Sequence, residues 1–367
     1  MPEPIQLESS LDRRVGAIAA TLALGLLTFL CPWQCVFGDT DPSQPALEKQ
    51  QPASDFNKNL GAGINLGNAL EAPREGDWGV TVQPQYFKVI KEAGFSHVRI
   101  PIRWSAHADK DPPYNIDSEF LQRVDWAVDQ ALSNSLAVVI NMHHYEEMEE
   151  SSEPQKERFL AMWRQIAEHF KTRPAQVAFE IYNEPCKSLD ATKWNALMRQ
   201  TLAQIRTTNP HRIVVVGPIG WNNLHQLKTL ELPDSDRDLL VTIHYYEPFH
   251  FTHQGASWVG KESDEWLGTK WSASQAEQEA IAKDFDETAQ WGKENDRPVY
   301  LGEFGSFSKA DMDSRALWTD AVQTQARVRG FSTAYWEFCS GFGAYDAAKE
   351  QWRAPLLNAL RNAQVSR

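Results

Sequence analysis

The chain has 367 residues, 42% of them hydrophobic, which is enough to build one large hydrophobic core. Its formal net charge is -13, from 36 basic and 49 acidic residues. This charge argues against nucleic acid or an anionic membrane as the main partner, whereas a neutral polymer is compatible with it.

The first 38 residues have the features of a secretory signal peptide. Arg13-Arg14 supplies positive charge, Val15 to Leu30 is apolar, and residues 36–38 precede a possible cleavage before Asp39. The apolar stretch is shorter than the roughly 20 residues that span a bilayer. An uncleaved anchor and a twin-arginine signal stay open as alternatives. Cleavage predicts a secreted protein, extracellular or periplasmic, without membrane contact.

The remainder of the chain divides into a short arm and one domain. Residues 39–58 are rich in Pro, Gln and Ser, which is typical of a linker or N-terminal arm. Residues 59–367 show no repeat and no low-complexity break, so we expect a single catalytic domain. The four cysteines have the spacing of neither a zinc site nor a disulfide framework.

Eight short apolar runs predict strands. They are rich in Val, Ile and aromatic residues and mostly lack strict alternation, as expected for parallel strands buried on both faces. The predicted strands are Gly61–Leu66, His97–Ile102, Ala137–Met142, Val177–Tyr182, Arg212–Gly217, Leu240–His244, Val299–Glu303 and Thr333–Phe338.

Amphipathic stretches between these runs predict helices, with Asp117 and Thr192 as N-caps of two of them. The predicted helices are Pro84–Ala93, Glu119–Asn134, Gln155–Lys171, Thr192–Thr207 and Gln275–Asn295. Eight strand–helix units favour an α/β fold of the (β/α)8 TIM-barrel type. A doubly wound open sheet is the alternative, and it is disfavoured because no Gly-rich phosphate turn opens a helix.

Polar and aromatic residues concentrate at the carboxyl ends of the predicted strands, where the active site of such a barrel forms. They are Asn68, Arg99, His143, His144, Asn183, Glu184, Trp221, His244, Tyr246, Glu303 and Trp336. Two glutamates stand out because each lies where a strand gives way to a loop. Two carboxylates so placed are the groups needed to cleave a glycosidic bond.

The motifs around these positions resemble glycoside hydrolase family 5, the cellulase-type family of retaining (β/α)8 glycosidases. The similarity covers the chain from about Asn65 to Trp336 and keeps the family's order of motifs. The matching segments are Val98-Arg99-Ile100-Pro101, Asn141-Met142-His143-His144, Ile181-Tyr182-Asn183-Glu184-Pro185, His244-Tyr245-Tyr246, Gly302-Glu303-Phe304-Gly305 and Tyr335-Trp336-Glu337-Phe338.

The resemblance implies a role for each central residue. Glu184 would be the general acid/base, its pKa raised by burial and by the second carboxylate. Glu303 would be the nucleophile, kept ionised by Arg99. Asn183 would hydrogen-bond the sugar 2-hydroxyl, and Tyr246 would orient Glu303. The alternatives are a helix-capping role for Glu184 and a purely structural ion pair for Arg99.

The remaining candidates would shape the sugar-binding surface. His143, His144, His244 and Asn68 are predicted to line the site, with Trp336 as the platform under the sugar. Trp221 and Trp258 are candidates for outlying subsites, and so are Trp78, Trp104, Trp266 and Trp271, although each tryptophan could equally fill the core. The three histidines could converge on a metal, but no ligand spacing supports this, so we expect neither metal nor cofactor.

The sequence therefore predicts a secreted, monomeric, retaining endo-β-1,4-glucanase that hydrolyses β-glucan by double displacement. Mannan, xyloglucan, mixed-linkage and β-1,3-glucan stay open as substrates because the same catalytic set serves all of them in the family. A non-catalytic carbohydrate-binding barrel is a remote alternative that has no need of this charge arrangement. Retention predicts two carboxyl groups about 5–5.5 Å apart.

Overall fold

Eight parallel strands close into a barrel in a computed structural model that describes residues 52–362. Each strand pairs with the next, and β8 pairs with β1. The strands are β1 Ala62–Asn65, β2 His97–Ile100, β3 Ala137–Asn141, β4 Val177–Glu180, β5 Val214–Val216, β6 Leu239–Tyr245, β7 Val299–Phe304 and β8 Ser332–Tyr335. The (β/α)8 fold predicted from the sequence is confirmed.

Helices alternate with the strands and cover the outside of the barrel. The α-helices are α1 Ala53–Leu60, α2 Pro84–Glu92, α3 Ser118–Ser133, α4 Glu146–Glu150, α5 Ser152–His169, α6 Ala191–Thr208, α7 Ile219–Asn222, α8 Phe249–Thr252, α9 Gln275–Glu294, α10 Met312–Val328 and α11 Ala354–Asn362. Short 3-10 helices span Trp104–His107, Leu224–Thr229 and Lys261–Trp266, and an antiparallel pair, β9 Tyr345–Asp346 and β10 Gln351–Trp352, follows β8.

The two predicted helix caps had different outcomes. Asp117 caps α3, because its carboxylate accepts from the backbone N–H of Glu119 at 2.7 Å. Thr192 as the cap of α6 is wrong. Asp190 caps this helix and accepts from the backbone N–H of Lys193 at 2.9 Å, so α6 begins one residue earlier than predicted.

Helix α1 closes the amino-terminal end of the barrel, although its first residues, 53–58, were predicted to belong to the arm. Its buried side chains Phe56 and Leu60 pack in one cluster with residues inside the barrel, including Val139 and Tyr300. An isolated helix of eight residues is unstable in water, so this packing is what holds α1.

A buried histidine lies directly above this helix. Nδ1 of His97 is 2.8 Å from the carbonyl oxygen of Leu60, and Nε2 is 3.1 Å from the Tyr300 hydroxyl. Since a carbonyl oxygen can only accept, Nδ1 carries the proton and Nε2 accepts from Tyr300. Burial lowers the pKa of His97 to about 4, so the ring is neutral at ordinary pH.

Two further predictions concern the ends of the chain and the cysteines. Within residues 52–362, no helix combines the length and the apolar character needed to cross a membrane. The predicted signal peptide and most of the arm lie outside the described residues. Cys186 and Cys339 are both free thiols.

Candidate active site

Arg99, on β2, is the centre of a buried hydrogen-bond network inside the barrel. Its Nε and Nη2 donate to the carboxylate of Glu180 at 2.6 and 2.7 Å. Nη1 donates to Asn65 at 2.8 Å and to Glu303 at 2.7 Å, and Nη2 donates to Asn183 at 2.7 Å. All five N–H groups of the guanidinium therefore have acceptors. One cation thus holds the four acceptor side chains in place around it.

A bulge in β7 determines where Glu303 lies. Ile243 of β6 is opposite Leu301, but the next residue, His244, is opposite Glu303 rather than Gly302. Gly302 is thus the extra residue of a β-bulge, a feature that often re-aims side chains beside active sites. The bulge places the Glu303 carboxylate next to the Arg99 network.

Both oxygens of Glu303 have a donor. Oε1 accepts from Arg99, and Oε2 accepts from the Tyr246 hydroxyl at 2.8 Å. Burial and the nearby Glu184 raise the pKa of Glu303, whereas the charge of Arg99 and the hydrogen bond from Tyr246 lower it. The ionised state predicted for Glu303 therefore depends on these partners, because burial alone opposes it.

Glu184 lies in the loop after β4, with its backbone in the left-handed region at φ 52°. Such a conformation costs about 1–3 kcal/mol and is characteristic of functional sites. Its side chain is 25% exposed, and Oε1 lies 2.7 Å from Nδ1 of His244. Burial raises the pKa of Glu184 to about 8, Arg99 opposes this, and the like charges that add to it are Glu149 and Glu180. The repulsion expected between the two catalytic carboxyls acts at Glu303, whose pKa Glu184 raises.

The two carboxyl groups face each other across His244. One oxygen of Glu184, one oxygen of Glu303 and one ring nitrogen of His244 all lie within 4.8 Å of one another. Retaining glycosidases separate their carboxyl groups by about 5–5.5 Å, and inverting enzymes by about 6.5–9.5 Å. An oxygen-to-oxygen separation within 4.8 Å fits the retaining arrangement.

The same three side chains are the one group of His, Cys, Asp or Glu in residues 52–362 with the spacing to hold a metal ion. The histidine trio weighed from the sequence does not form such a group. Because Arg99 and Tyr246 already occupy both oxygens of Glu303, the geometry suits a pair of catalytic carboxyls better than a metal centre.

Aromatic and imidazole rings line one side of the site. His143 stacks on Trp336 with ring centroids 5.7 Å apart and planes 5° apart. His144 meets the edge of Trp78 at 5.4 Å. Gly67 makes room for the indole, since a Cβ there would lie 2.9 Å from Cη2 of Trp336. The structure thus brings His143, His144 and Trp336 together.

The other tryptophan candidates differ in exposure, and Trp266 is half-buried against His250. Trp221, in the loop after β5, is 56% exposed, and Trp258, in the loop after β6, is 61% exposed. Both are available to a ligand on the carboxyl face of the barrel. Trp104 and Trp271 are buried and belong to the hydrophobic core, so they are not subsite residues.

Residues 58–341 match the family described as "Cellulase (glycosyl hydrolase family 5)". The chain belongs to glycosyl hydrolase family 5. This confirms the family indicated by the motifs, and it makes the protein a glycoside hydrolase.

Relatives of this family 5 enzyme include curated proteins and solved structures. Endoglucanase H of Acetivibrio thermocellus is 37% identical over 311 residues, which are 83% of this chain, and the chain spans about a third (33%) of that relative. Cel5A of Thermotoga maritima, solved with mannotriose and with cellobiose, is 50% identical, with a TM-score of 0.82 over 84% of this chain and 99% of its own. The Clostridioides difficile cellulose synthase subunit Z is 37% identical, with a TM-score of 0.79 over 82% of this chain and 99% of its own.

Sequence reasoning missed two members of the family 5 enzyme's Arg99 network, Asn65 and Glu180. Glu180 forms the two-pronged ion pair with Arg99, and both side chains are fully buried. Asn65 also donates through Nδ2 to the carbonyl oxygen of Gly302 at 3.0 Å, which fixes the bulge in β7. The available signal was a polar residue inside an otherwise apolar strand, because such a group needs a partner when it is buried.

Two further buried carboxyls hold loops of the site. Glu71 accepts from the backbone N–H groups of Asn68 and Ala69, and its burial raises its pKa to about 8. Glu337 accepts from three backbone N–H groups of residues 339–342, and its burial raises its pKa to about 7. Asn68 is thereby held in the left-handed region, at φ 63° beside the cleft, and the structural role expected for Glu337 agrees with its contacts.

Proposed function

We propose that this family 5 enzyme is an endo-β-1,4-glucanase that cleaves β-glucan by double displacement, with retention at the anomeric carbon. The observation that carries the proposal is the pairing of Glu184 and Glu303, which bring one oxygen each to within 4.8 Å. The environments of the two carboxyl groups differ, as the roles of acid and nucleophile require. Glu184 has a pKa raised to about 8, and Glu303 is held by Arg99 and Tyr246.

In the first step, the Glu303 carboxylate attacks the anomeric carbon while the bond to the leaving oxygen breaks. The Glu184 carboxyl gives its proton to that oxygen, so the leaving sugar departs as a neutral alcohol. Arg99 occupies Oδ1 of Asn183, which leaves the Asn183 amide nitrogen to donate to the acceptor oxygen of the sugar 2-hydroxyl.

In the second step, Glu184 is a carboxylate and acts as the base. It takes a proton from water as the water oxygen attacks the anomeric carbon, and the ester bond to Glu303 breaks. Glu303 leaves as a carboxylate, and Glu184 is protonated again for the next cycle. A pKa near 8 suits both roles, because the group must give and recover one proton in each turnover.

Glucan is the first candidate substrate because Endoglucanase H, a curated relative, is named for that activity. Mannan is the second candidate. The observation that favours it is the Thermotoga maritima Cel5A structure with mannotriose, at 50% identity to this chain. The exposed rings of Trp221 and Trp258 offer stacking surfaces that suit either polymer.

The decisive experiment measures reducing ends released by the chain from Asp39 onward, with Glu303→Ala as the matched variant. Release from carboxymethyl-cellulose or barley glucan by the wild type alone would support the glucanase. Release from mannan alone would keep the mechanism and change the substrate. Azide should restore turnover of an activated aryl cellobioside by Glu303→Ala. Wild-type activity in that variant would refute the role of Glu303.

We also propose that the enzyme is secreted as a monomer after removal of residues 1–38. The charged and apolar pattern of those residues supports secretion and cleavage. Expression in a bacterial host followed by N-terminal sequencing of the exported protein tests it, with Asp39 as the expected first residue. Retention in the membrane with an intact N-terminus would indicate an anchor instead. Light scattering after gel filtration gives the oligomeric state.

A further inference from the structure

A left-handed turn after β5 separates an exposed tryptophan from a buried asparagine. Residues 220–222 all have positive φ, with 62° at Trp221 and 55° at Asn222. Trp221 is largely exposed, whereas Asn222 is completely buried. The N–H of Trp221 donates to the carbonyl oxygen of Pro185 at 3.4 Å, so the turn is joined to the loop that carries Glu184.

The buried asparagine contacts the histidine that bonds the acid/base. Nδ2 of Asn222 lies 3.2 Å from Nε2 of His244, and Nδ1 of His244 lies 2.7 Å from Oε1 of Glu184. An amide nitrogen can only donate, so Nε2 accepts and Nδ1 carries the proton. The imidazole therefore donates to Glu184. The other end of the amide, Oδ1 of Asn222, is buried without a hydrogen-bond partner among the described residues, in the space that Gly217 leaves, where a Cβ would lie 2.1 Å from it.

Burial keeps the His244 ring neutral. Besides Glu184, the ring faces Glu303 at 3.6 Å, and the charges of Arg99 and Glu180 act on it. Burial lowers the pKa of His244 to about 4, Glu303 and Glu180 oppose this, and Arg99 adds to it. A neutral imidazole has two tautomers, and the partner of Nε2 decides between them.

We propose that Asn222 is a positioning residue for the acid/base, because it fixes His244 as the Nδ1–H tautomer and so directs the proton of Glu184. This inference rests on the proposed function of Glu184. With the Nδ1–H of His244 on Oε1, the carboxyl proton belongs on Oε2, where it is available to the glycosidic oxygen. In the second step the same N–H stabilises the carboxylate. The opposite tautomer would accept the Glu184 proton and hold it away from the substrate.

Asn222→Asp is the sharpest test. Aspartate keeps the size and tolerates positive φ, but its carboxylate only accepts, so it places a proton on Nε2 of His244. Either the tautomer reverses, or an imidazolium forms and lowers the pKa of Glu184, and both outcomes impair the acid. We expect kcat on cellopentaose to fall about 10–100-fold, with little change in KM. This is less than the roughly 10²–10⁴-fold that a general acid contributes, because the acid is impaired and not removed.

An activated substrate distinguishes positioning from simple damage. 2,4-Dinitrophenyl cellobioside has a leaving group that needs no proton, so Asn222→Asp should lose much less activity on it than on cellopentaose. Equal losses on both substrates would overturn the proposal.

Two variants in the same turn serve as controls. Asn222→Gly keeps the left-handed backbone but imposes no tautomer, so its loss on cellopentaose should lie between wild type and Asn222→Asp. Trp221→Gly should raise KM for long substrates without moving the alkaline limb of the pH–rate profile. An alkaline limb moved to lower pH in Trp221→Gly would count against the proposal.

The tautomer can be read directly by ¹⁵N NMR of histidine-labelled enzyme, with His244→Asn identifying the signal. In the wild type we expect a proton on Nδ1 and none on Nε2, and in Asn222→Asp a proton on Nε2. A wild-type His244 protonated on Nε2 would overturn the inference even if the enzyme hydrolyses glucan. Failure of the wild type to cleave any polymer would instead refute the proposed function and leave the tautomer measurable.

Discussion

The buried ion pair between Arg99 and Glu180 makes a quantitative prediction for the variant Glu180→Gln. In the native protein the Glu180 carboxylate accepts two N–H groups of Arg99 at 2.6 and 2.7 Å, with both side chains fully buried. Glutamine keeps the shape and one acceptor, but its NH2 group faces the second N–H. That donor is left unsatisfied, which costs about 1–3 kcal/mol.

The lost charge adds to this cost. Removing one partner of a buried ion pair destabilises by about 3–5 kcal/mol when the other charge is left alone. Arg99 still pairs with Glu303 at 2.7 Å, so we expect a total near 3 kcal/mol. For a domain of roughly 310 residues, an unfolding entropy of about 2.1 cal/mol/K per residue makes this a decrease in Tm of about 5 °C.

The assay is thermal unfolding by circular dichroism beside the exposed control Glu231→Gln. Glu231 pairs with Arg199 at 2.9 Å, but the two side chains are 69% and 48% exposed. Such a pair contributes about 0–1 kcal/mol, so its Tm should fall by less than about 2 °C. Equal Tm values for the two variants would refute the reasoning. Because the charge of Glu180 also raises the pKa of Glu184, the alkaline limb of activity should move to lower pH in Glu180→Gln.

Three further predictions concern protons. The kcat/KM for cellopentaose should fall above pH about 8, where Glu184 loses its proton. This alkaline limb of the pH–rate profile should vanish with 2,4-dinitrophenyl cellobioside, whose leaving group needs no proton. The same limb on both substrates would exclude Glu184 as its source. Tyr246→Phe removes a hydrogen bond that lowers the pKa of Glu303, so the acidic limb of the pH–rate profile should shift to higher pH without loss of secondary structure; a shift to lower pH would contradict this. The folded-state pKa of His97 is lowered to about 4 from 6.5, so the unfolded chain binds the extra proton between these values and stability is lost as pH falls through this window. Denaturant unfolding should show a smaller loss over that range in His97→Gln than in the wild type, and parallel curves would rule out His97.

The barrel was predictable because its strands are apolar runs buried on both faces. There are eight of them, separated by helical segments, which is the pattern of a (β/α)8 barrel. Helix α1 was not predicted, since the segment around Phe56 is polar in composition and is helical only because two of its side chains enter the barrel. A local sequence pattern does not predict tertiary packing of this kind.

The site also was predictable only in part. The order of the motifs identified Glu184, Glu303, Arg99 and their neighbours as candidate site residues. The β7 bulge was hidden, because an extra residue at Gly302 interrupts the two-residue period from which side-chain direction is inferred. The contact of Asn222 with His244 was missed for a related reason, since a Gly-Trp-Asn sequence does not predict three successive left-handed residues.

The closed amino-terminal end of the barrel has a practical consequence for attaching the enzyme to a support. Pro52 is exposed at the start of α1, and this helix contacts the strand starts, with Asn57 donating to the carbonyl oxygen of Gly330 just before β8. Glu184 and Glu303 lie at the opposite ends of their strands. A bead, film or scaffold coupled at position 52 therefore holds the enzyme at the amino-terminal end of the barrel. The two glutamates then face away from the support, toward a long or insoluble chain.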